Sequence, residues 1–525
     1  MGTDFRIAHS LSPKDVESLL EIGSALIAER DLNALLSLIL RKSRKILGAD
    51  AGSLYLTDGK GATPSTQLIL SLSQNDSNEV KINDIVLPID DKSLAGYVGQ
   101  TGETLQLDDV YEVPPGRPFT FHGRVDKKTG YRSKSLLSVP MKDHKGVLIG
   151  VIQLWNKKRN PKQRLSLENI HQEVIPFGED DAFLLHSLAS QAAIAVENAK
   201  LYQDITSLFE GFIRASVTAI ESRDPTTSGH SERVAKLTVA LAKAVDATEV
   251  GPFRGMTFSR EEFVEIEYAS LLHDFGKIGV KESILVKAKK LYPLELDTIR
   301  DRKDLIHREL EVVSLEEKVR HLAAGGKVGD NAWKEIEFEL KRKLREIDRT
   351  FAVIETSNEP THLLQSVTDE LREFRKIVGR RPDGRPFHLI DQDQLERLSI
   401  PRGSLSEKER RQIEAHVTHT YEFLRRIPWT MELRKIPDIA HAHHEKLNGQ
   451  GYPRSIGQPE IPIASQMMAV TDIYDALVAR DRPYKRALTV QNALDILYAE
   501  AREGMLNPDV VDIFVQKKIH AITNP

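Results

Sequence analysis

One stretch decides how the C-terminal half of this chain is interpreted: Ala269-Ser270-Leu271-Leu272-His273-Asp274-Phe275-Gly276-Lys277-Ile278-Gly279. Its first residues are small or apolar, which predicts a buried helix that ends at His273 and Asp274. Burying two such polar side chains is costly unless they bind a partner. Neighbouring helical positions point about 100° apart, so this pair suits two metal ions better than one.

Similar placements recur along the C-terminal half, where five histidines and two aspartates lie at the ends or faces of separate apolar helices. They are His230, His273, Asp274, His416, His443, His444 and Asp472. Any one of them alone is better explained as a satisfied core residue. Together, imidazole and carboxylate are the ligands expected for Fe or Mn, and they also suit Zn. With one bridging Asp they could hold two cations about 3.5–4 Å apart.

The amino-acid composition limits the kinds of binding partner and reactive site that this chain could have. The chain has 525 residues, enough for several domains. Lys and Arg total 73 against 77 Asp and Glu, so no direct nucleic-acid binding is expected. With no Cys, disulfides, thiolate metal sites and a Cys nucleophile are excluded. We find no signal peptide and no apolar run of about 20 residues, which predicts a cytoplasmic protein without a membrane partner.

The N-terminal part alternates between helical and β patterns. Residues 15–50 have helical spacing, and a long helix is predicted to begin after Gly178. Between them, four segments have strand character, with a hairpin turn at 144–146 between the last two. The four segments are 52–56, 67–72, 135–141 and 147–156. The pattern predicts an α+β domain.

Short stretches of this region resemble a GAF domain, which would cover residues 15–200. They are Gly52-Ser53-Leu54-Tyr55-Leu56, Gly150-Val151-Ile152-Gln153-Leu154, Asn156-Lys157 and Ala195-Val196-Glu197-Asn198-Ala199. The fold that this implies is an antiparallel sheet flanked by helices. Asn156, Lys157, Phe177 and Asp181 are similar to part of the motif of cyclic-nucleotide-binding GAF domains, although its final Glu is Ala182 here. The resemblance implies a small-molecule ligand at these residues; alternatively, they hold a loop and cap a helix.

A linking helix is predicted over residues 181–222. Leu201, Ile205, Leu208 and Phe212 follow the 4-3-4 spacing of a coiled-coil seam, which favours a homodimer. A buried amphipathic helix explains the same spacing almost as well.

In the second half, residues 213–291 and 401–520 resemble the HD-GYP phosphodiesterases, an all-α family with a metal centre. The resemblance implies such a domain over residues 213–525, with residues 292–400 as an insertion. The matching stretches are 223–230, 273–279, 443–453, 470–477 and 482–485. The resemblance implies hydrolysis of cyclic di-GMP to pGpG or GMP, with a GAF domain as the regulator. Two readings stay open besides it: an inactive module that binds a cyclic dinucleotide or a protein, and an HD hydrolase of another nucleotide such as cyclic GMP-AMP.

The resemblance also implies roles for single residues. The seven His and Asp residues named above match the family's metal ligands, with Asp274 as the bridge, and Lys277 matches the lysine that contacts the scissile phosphate. The positions that match substrate-side residues are Tyr452, Pro453, Arg482 and Lys485. A third metal is not expected, because the acidic residue that holds it in other members is Thr226 here.

A charged segment, residues 292–400, interrupts the second half. Its pattern predicts two or three solvated helices followed by an irregular tail at 379–386. It could form a lid, a dimer contact or a partner surface, and a neutral surface insertion is equally compatible.

Overall fold

The computed structural model describes Gly23, Ala25, Glu29 and residues 31–58, 66–78, 85–223, 228–381, 383–479 and 487–523. The chain divides into two compact units, Met1–Glu210 and Gly211–Pro525. Within these described ranges, no helix is both long enough and apolar enough to cross a bilayer.

The N-terminal unit is built on an antiparallel sheet with the strand order β3-β2-β1-β6-β5-β4, and β7 pairs with β6. The strands are β1 (Ala49–Thr57), β2 (Gln67–Asn75), β3 (Val86–Pro88), β4 (Leu105–Leu107), β5 (Leu136–Lys142), β6 (Leu148–Lys158) and β7 (Val174–Ile175). All four strand segments expected from the sequence lie in this sheet.

Helices flank the sheet of the N-terminal unit. They are α1 (Leu32–Leu47), α2 (Leu94–Thr101), α3 (Arg124–Thr129), α4 (Ile170–Glu173) and the first part of α5 (Glu179–Glu221), whose residues from Gly211 onward belong to the C-terminal unit. Asp31 caps α1 by accepting a hydrogen bond from the Ala34 amide, and most of the predicted helix before Asp31 lies outside the described residues. Apolar residues of α1 and of the first part of α5 form one core with β1, β5 and β6. The predicted α+β domain with an antiparallel sheet flanked by helices is therefore confirmed.

The C-terminal unit is helical, as predicted. Outside residues 292–400 its helices are α6 (His230–Asp246), α7 (Arg260–Leu272), α8 (Glu282–Leu285), α13 (Glu407–Leu424), α14 (Ile436–His441), α15 (Ile463–Val478), α16 (Val490–Arg502) and α17 (Pro508–Gln516). Helix α6 packs against both α7 and α15, and α13 packs against the 3₁₀ turn Phe275–Gly279. These contacts bring the ends of several helices close together in space.

The charged segment is more ordered than the sequence suggested. It contains α9 (Pro293–Ala323), α10 (Asn331–Ser357), α11 (Gln365–Phe374), α12 (Gln392–Leu398) and the antiparallel hairpin of β8 (Val378–Arg380) and β9 (Pro386–His388). The expectation of an irregular tail is thus wrong, because residues at both ends of the stretch 379–386 lie in the paired strands of this hairpin. The segment also has a hydrophobic core of its own, which includes Ile299, Phe351 and Phe387.

Candidate metal centre

The His273-Asp274 pair lies where α7 ends and the 3₁₀ turn Phe275–Gly279 begins. Gly276 touches α13 so closely that an added Cβ would collide with the carbonyl oxygen of His416. The Thr420 hydroxyl fastens this contact, since it accepts a hydrogen bond from the Gly276 amide (2.8 Å) and donates one to the His273 carbonyl (2.9 Å). Only glycine fits here, and the close approach places His416 beside the pair.

His443 and His444 follow the end of α14, and the next residue anchors the loop beyond them. The Glu445 carboxylate accepts hydrogen bonds from the backbone amides of Arg454 (2.7 Å) and Ile456 (3.1 Å). The loop in between carries Tyr452, whose ring centroid lies 4.8 Å from that of His444. Glu445 therefore keeps Tyr452 beside the histidine pair.

His230 is the first residue of α6, and Asp472 lies on the neighbouring helix α15. The two helices are joined by a 2.6 Å hydrogen bond between the Thr238 and Thr471 hydroxyls. His230 Nε2 lies 3.1 Å from Asp472 Oδ1. The packing of α6 on α15 thus brings together two residues that are far apart in the chain.

The structure gathers all seven predicted ligands into one cluster, in which every residue except the half-buried His444 is buried. Three overlapping groups each have ligand atoms within 4.8 Å of one another: His416, His443 and His444; His230, His273 and Asp472; and His273, Asp274 and His443. Asp274 is central, because Oδ1 lies 3.2 Å from His416 Nε2, while Oδ2 lies 3.4 Å from His273 Nε2 and 3.8 Å from His230 Nε2. A carboxylate with histidines around both oxygens is suited to bridge two cations.

Three imidazoles of the cluster are oriented in the way that metal-binding histidines are. Their Nδ1 atoms each bond a backbone carbonyl three residues earlier: His273 to Ser270 (2.7 Å), His416 to Ile413 (2.6 Å) and His443 to Ala440 (2.6 Å). Their Nε2 atoms are buried and form no well-directed hydrogen bond among the described residues, although oxygens of Asp274 lie 3.2 Å and 3.4 Å from those of His416 and His273. Donation from Nδ1 leaves a lone pair on Nε2, which is the usual arrangement of a metal-binding histidine. The residues present therefore fit a metal site.

The pKa values of His443, His444 and Asp274 also fit a metal site. Burial lowers the pKa of His443 well below its ordinary value and that of His444 to about 4, so both imidazoles are neutral and free to act as ligands. Burial would raise the pKa of Asp274, but the charges of Lys277 and His273 hold it well below the usual range. The aspartate is thus ionised near neutral pH, as a metal ligand must be.

His273 differs from His443 and His444, because burial would lower its pKa but Asp274 raises it. His230 differs from them as well. Burial alone would lower its pKa, yet hydrogen bonds with Asp472 and Asp475 raise it to about 9. Without a cation, a proton on His230 offsets part of the carboxylate charge. A divalent cation in the cluster would supply the same compensation, so metal binding is expected to release that proton.

Two residues that support His230 were not predicted to belong to the site, although Asp475 lies in the matching stretch 470–477. Asp475 Oδ2 lies 2.8 Å from His230 Nδ1, and Arg233 bonds both oxygens of Asp475 at 2.7 Å and 3.0 Å. Each lies three positions after a predicted ligand, Arg233 after His230 and Asp475 after Asp472, and so shares a helix face with it. This spacing is the feature of the sequence that could have identified Arg233 and Asp475 as supporting residues.

The predicted substrate-side residues are only partly described. The Lys277 ammonium lies 2.8 Å from Asp274 Oδ2, and Tyr452 lies beside His444. Pro453 is half-buried in the same loop. Arg482, Lys485 and Thr226 lie outside the described residues, so their predicted roles stay predictions.

The N-terminal unit contains a separate cavity of about 560 Å³. Aromatic rings line it together with polar groups: Tyr55, Phe121, Trp155, Asn75, Arg124 and Gln153 are among the lining residues. Gln153 is only 2% exposed, and its amide nitrogen has no hydrogen-bond partner in the part of the chain that the structure describes. The cavity therefore offers a buried donor and aromatic surfaces to a small molecule.

The four residues predicted to bind a GAF ligand do not line this cavity. Asn156 is fully buried; its amide nitrogen donates to the Tyr131 hydroxyl and the Arg132 carbonyl, and its oxygen accepts from the Lys134 amide. We call this group the Asn156 brace. It holds the loop before β5, so the loop-holding alternative describes what Asn156 does here.

The other three predicted residues also have structural contacts. Lys157 forms an ion pair with Asp181, which accepts a hydrogen bond from the Gly178 amide at the start of α5 (2.7 Å). Phe177 lies in the core beneath the sheet. Their role in ligand binding stays a prediction.

Comparison with known protein families gives the class of the two domains. Residues 31–196 match the family model of the GAF domain, and residues 393–510 match that of the HD domain. The chain therefore carries a GAF domain followed by an HD domain. Four of the seven clustered residues, His416, His443, His444 and Asp472, lie inside the HD match, and the other three precede it.

Three curated proteins illustrate the similarity. A 3'3'-cGAMP-specific phosphodiesterase 3 of Vibrio cholerae is 38% identical over 95 residues, which cover 18% of this chain and 20% of that protein. A cyclic di-GMP phosphodiesterase of Thermotoga maritima is 31% identical over 152 residues, 29% of this chain and 40% of that protein. A probable 3',5'-cyclic phosphodiesterase pde-5 of Caenorhabditis elegans is 31% identical over 179 residues, 33% of this chain and 21% of that protein. This chain thus spans less than half the length of each of these relatives.

Proposed function

We propose that this chain is a metal-dependent phosphodiesterase of the HD-GYP type, which hydrolyses cyclic di-GMP to pGpG or GMP under the control of its GAF domain. The observation that carries the proposal is the set of buried Nε2 atoms of His273, His416 and His443 around Asp274, which form no well-directed hydrogen bond among the described residues. Neutral imidazoles and ionised carboxylates in such an arrangement suit Fe or Mn. The residues proposed to hold two cations are His230, His273, Asp274, His416, His443, His444 and Asp472.

When bound there, two divalent cations would lower the pKa of a water molecule and offset charge on the phosphate oxygens. The chain's own residues orient the substrate. Lys277 places a positive charge beside the phosphoryl oxygens as negative charge develops on them. Tyr452 and Pro453 border the substrate from their loop. Arg482 and Lys485, which lie outside the described residues, are proposed from the family resemblance to contact substrate phosphates. Substrate binding and in-line displacement need no Ser or Cys nucleophile.

Cyclic GMP-AMP is the second candidate substrate. It is favoured by the similarity to the Vibrio cholerae protein, whose name specifies 3'3'-cGAMP, and by the higher identity of that match. The Thermotoga maritima relative, named for cyclic di-GMP, matches over a longer stretch, which is why we place cyclic di-GMP first.

Control is proposed to come from a small molecule in the GAF domain and from a homodimer. Leu201, Ile205, Leu208 and Phe212 of α5 are between 50% and 76% exposed, which is unusual for a row of large apolar side chains. Pairing with the same row of a second copy would bury them as a coiled-coil seam.

The proposal is tested by anaerobic purification with metal analysis, followed by turnover of each cyclic dinucleotide with the products resolved. We expect about two Fe or Mn ions per chain and cleavage of cyclic di-GMP to a linear product. Absence of bound metal together with inertness toward both dinucleotides would overturn the proposal. Faster turnover of cyclic GMP-AMP would select the second candidate.

A further inference from the structure

The end of α5 makes two hydrogen-bonded contacts with the segments that present candidate site residues. The contacts come from Glu221, the last residue of α5, and from Arg223, two residues further along. Both contacts are made with backbone groups rather than with side chains of the cluster. In each case that backbone carries or adjoins a residue of the candidate site.

Glu221 holds the start of α6. Its Oε2 accepts a hydrogen bond from the Gly229 amide (2.8 Å), and its Oε1 accepts one from the Ser231 amide (3.1 Å). These two amides flank His230, and amides in the first turn of a helix have no partner within the helix. A carboxylate is a strong acceptor for them. The position of the His230 backbone is thus tied to the last residue of α5.

Arg223 holds the 3₁₀ turn Phe275–Gly279. Its guanidinium donates a hydrogen bond to the Ile278 carbonyl (2.7 Å). Ile278 directly follows Lys277, whose ammonium lies 2.8 Å from Asp274. The turn that presents Lys277 is therefore bonded to the chain immediately after α5.

We infer that Glu221 and Arg223 are positioning residues, through which the end of α5 sets the placement of His230 and Lys277 respectively. The inference rests on the proposed function and names a means of regulating that site. A regulatory signal can change activity only by favouring one arrangement of the chain over another. These two contacts are where a shift or rotation of the end of α5 would reach the residues of the site.

The two contacts predict two different defects. Glu221→Ala frees the backbone around a metal ligand, so we expect the Mn²⁺ dissociation constant to rise about 10-fold, the lower end for loss of a group that orients a ligand. Arg223→Ala frees the turn of Lys277, so we expect kcat to fall about 10-fold while Mn²⁺ affinity and KM stay unchanged. A merely structural role would not separate metal affinity from kcat in this way.

Conservative variants and a control sharpen the test. Glu221→Gln keeps one carbonyl acceptor for the two amides and should show a smaller loss of Mn²⁺ affinity. Arg223→Lys keeps a donor for the Ile278 carbonyl and should restore kcat. Thr218→Ala is the matched control, because Thr218 is exposed near the end of the same helix and its hydroxyl donates a hydrogen bond to the Arg214 carbonyl of that helix (2.9 Å); it should change neither quantity.

The experiment measures Mn²⁺ binding by titration calorimetry and steady-state hydrolysis of cyclic di-GMP, using the full chain. The separated defects, with rescue by Arg223→Lys, are the expected result. Unchanged Mn²⁺ affinity in Glu221→Ala, or equal losses of both quantities in both Ala variants, would overturn the inference. If the unaltered chain binds Mn²⁺ but hydrolyses no cyclic dinucleotide, the proposed function fails, and the Mn²⁺ titration of Glu221→Ala still decides the role of Glu221.

Discussion

The two units contain buried polar clusters of opposite character. In the Asn156 brace of the N-terminal unit, both side-chain atoms of Asn156 are bonded to other parts of the protein. In the candidate metal centre of the C-terminal unit, three buried imidazole nitrogens form no well-directed hydrogen bond within the described ranges. Leaving a buried polar atom unpaired is costly, so a fold retains such atoms where something else binds them.

The comparison separates two motifs that look alike in the sequence. Both consist of polar residues next to apolar strands or helices, and both resemble ligand-binding motifs of known families. In the Asn156 brace, the polar side-chain atoms of Asn156 are hydrogen-bonded within the protein. In the candidate metal centre, imidazole nitrogens remain available to bind a cation. Each of the following predictions tests that difference, beginning with the largest expected effect.

Removing the central carboxylate should have the largest effect. Asp274→Ala takes away the group around which His230, His273 and His416 are arranged. We expect turnover to fall by more than about 100-fold, beyond the loss caused by removing a supporting residue. Metal content should fall as well, measured by elemental analysis of the purified chain.

The control for that variant is His388→Ala, an exposed histidine of the charged segment whose ring nitrogen Nδ1 bonds the Arg375 carbonyl. It should keep full metal content and activity. Full metal occupancy and a normal rate in Asp274→Ala would mean that the cluster binds no metal through Asp274 and has only a structural role, like the Asn156 brace.

A supporting residue should have the next largest effect. Asp475→Ala removes the partner of His230 Nδ1 and of Arg233, so His230 loses the group that orients its ring. We expect metal affinity to fall about 10- to 100-fold. Calorimetric titration with Mn²⁺ measures it, and Asp495→Ala on the surface of α16 is the matched control. An unchanged affinity would remove Asp475 from the centre.

The brace should respond through stability instead. Asn156→Ala leaves the backbone groups of the half-buried residues Arg132 and Lys134 without their partner. We expect the free energy of unfolding of the N-terminal unit to drop by roughly 1–3 kcal/mol for each group left unpaired. Urea unfolding followed by fluorescence measures this loss, while metal content should not change. Normal stability combined with a lost response to a GAF ligand would instead assign Asn156 to ligand binding.

Lys290 is an intermediate case, since it is fully buried and its ammonium donates a hydrogen bond to the Leu398 carbonyl (3.1 Å). Burial lowers its pKa from 10.5 to about 8. Between these two values the unfolded chain holds the proton more tightly than the folded chain, so this lysine contributes stability that increases as the pH rises through that window.

The measurement compares the unaltered chain with Lys290→Met. Below about pH 8 the variant should be the more stable of the two, because a buried charge is gone, and the difference should shrink as the pH approaches 10.5. A difference that does not vary with pH would show that Lys290 has the same pKa in the folded and the unfolded chain, so that its charged amine is satisfied in the fold.

The residue types and their local spacing were enough to predict much of this protein. The β segments, the helical second half and the seven clustered His and Asp residues follow from periodicity and motifs, because these are properties of neighbouring residues. The irregular tail was mispredicted at Gly379–Pro386, since the hairpin there depends on pairing between strands and on Phe387 joining a core with Ile306.

Other structural features depend on contacts between segments that are far apart in the sequence. That His230 is supported by Asp475 and Arg233 depends on α6 packing against α15, and that Gly276 must be glycine depends on the backbone of α13 lying against it. Which buried polar atoms find a partner is likewise a property of the packed fold. The sequence by itself named the candidate ligands, and the tertiary structure decided that the histidines keep a nitrogen available for a cation while Asn156 does not, because hydrogen-bond satisfaction depends on neighbours in space.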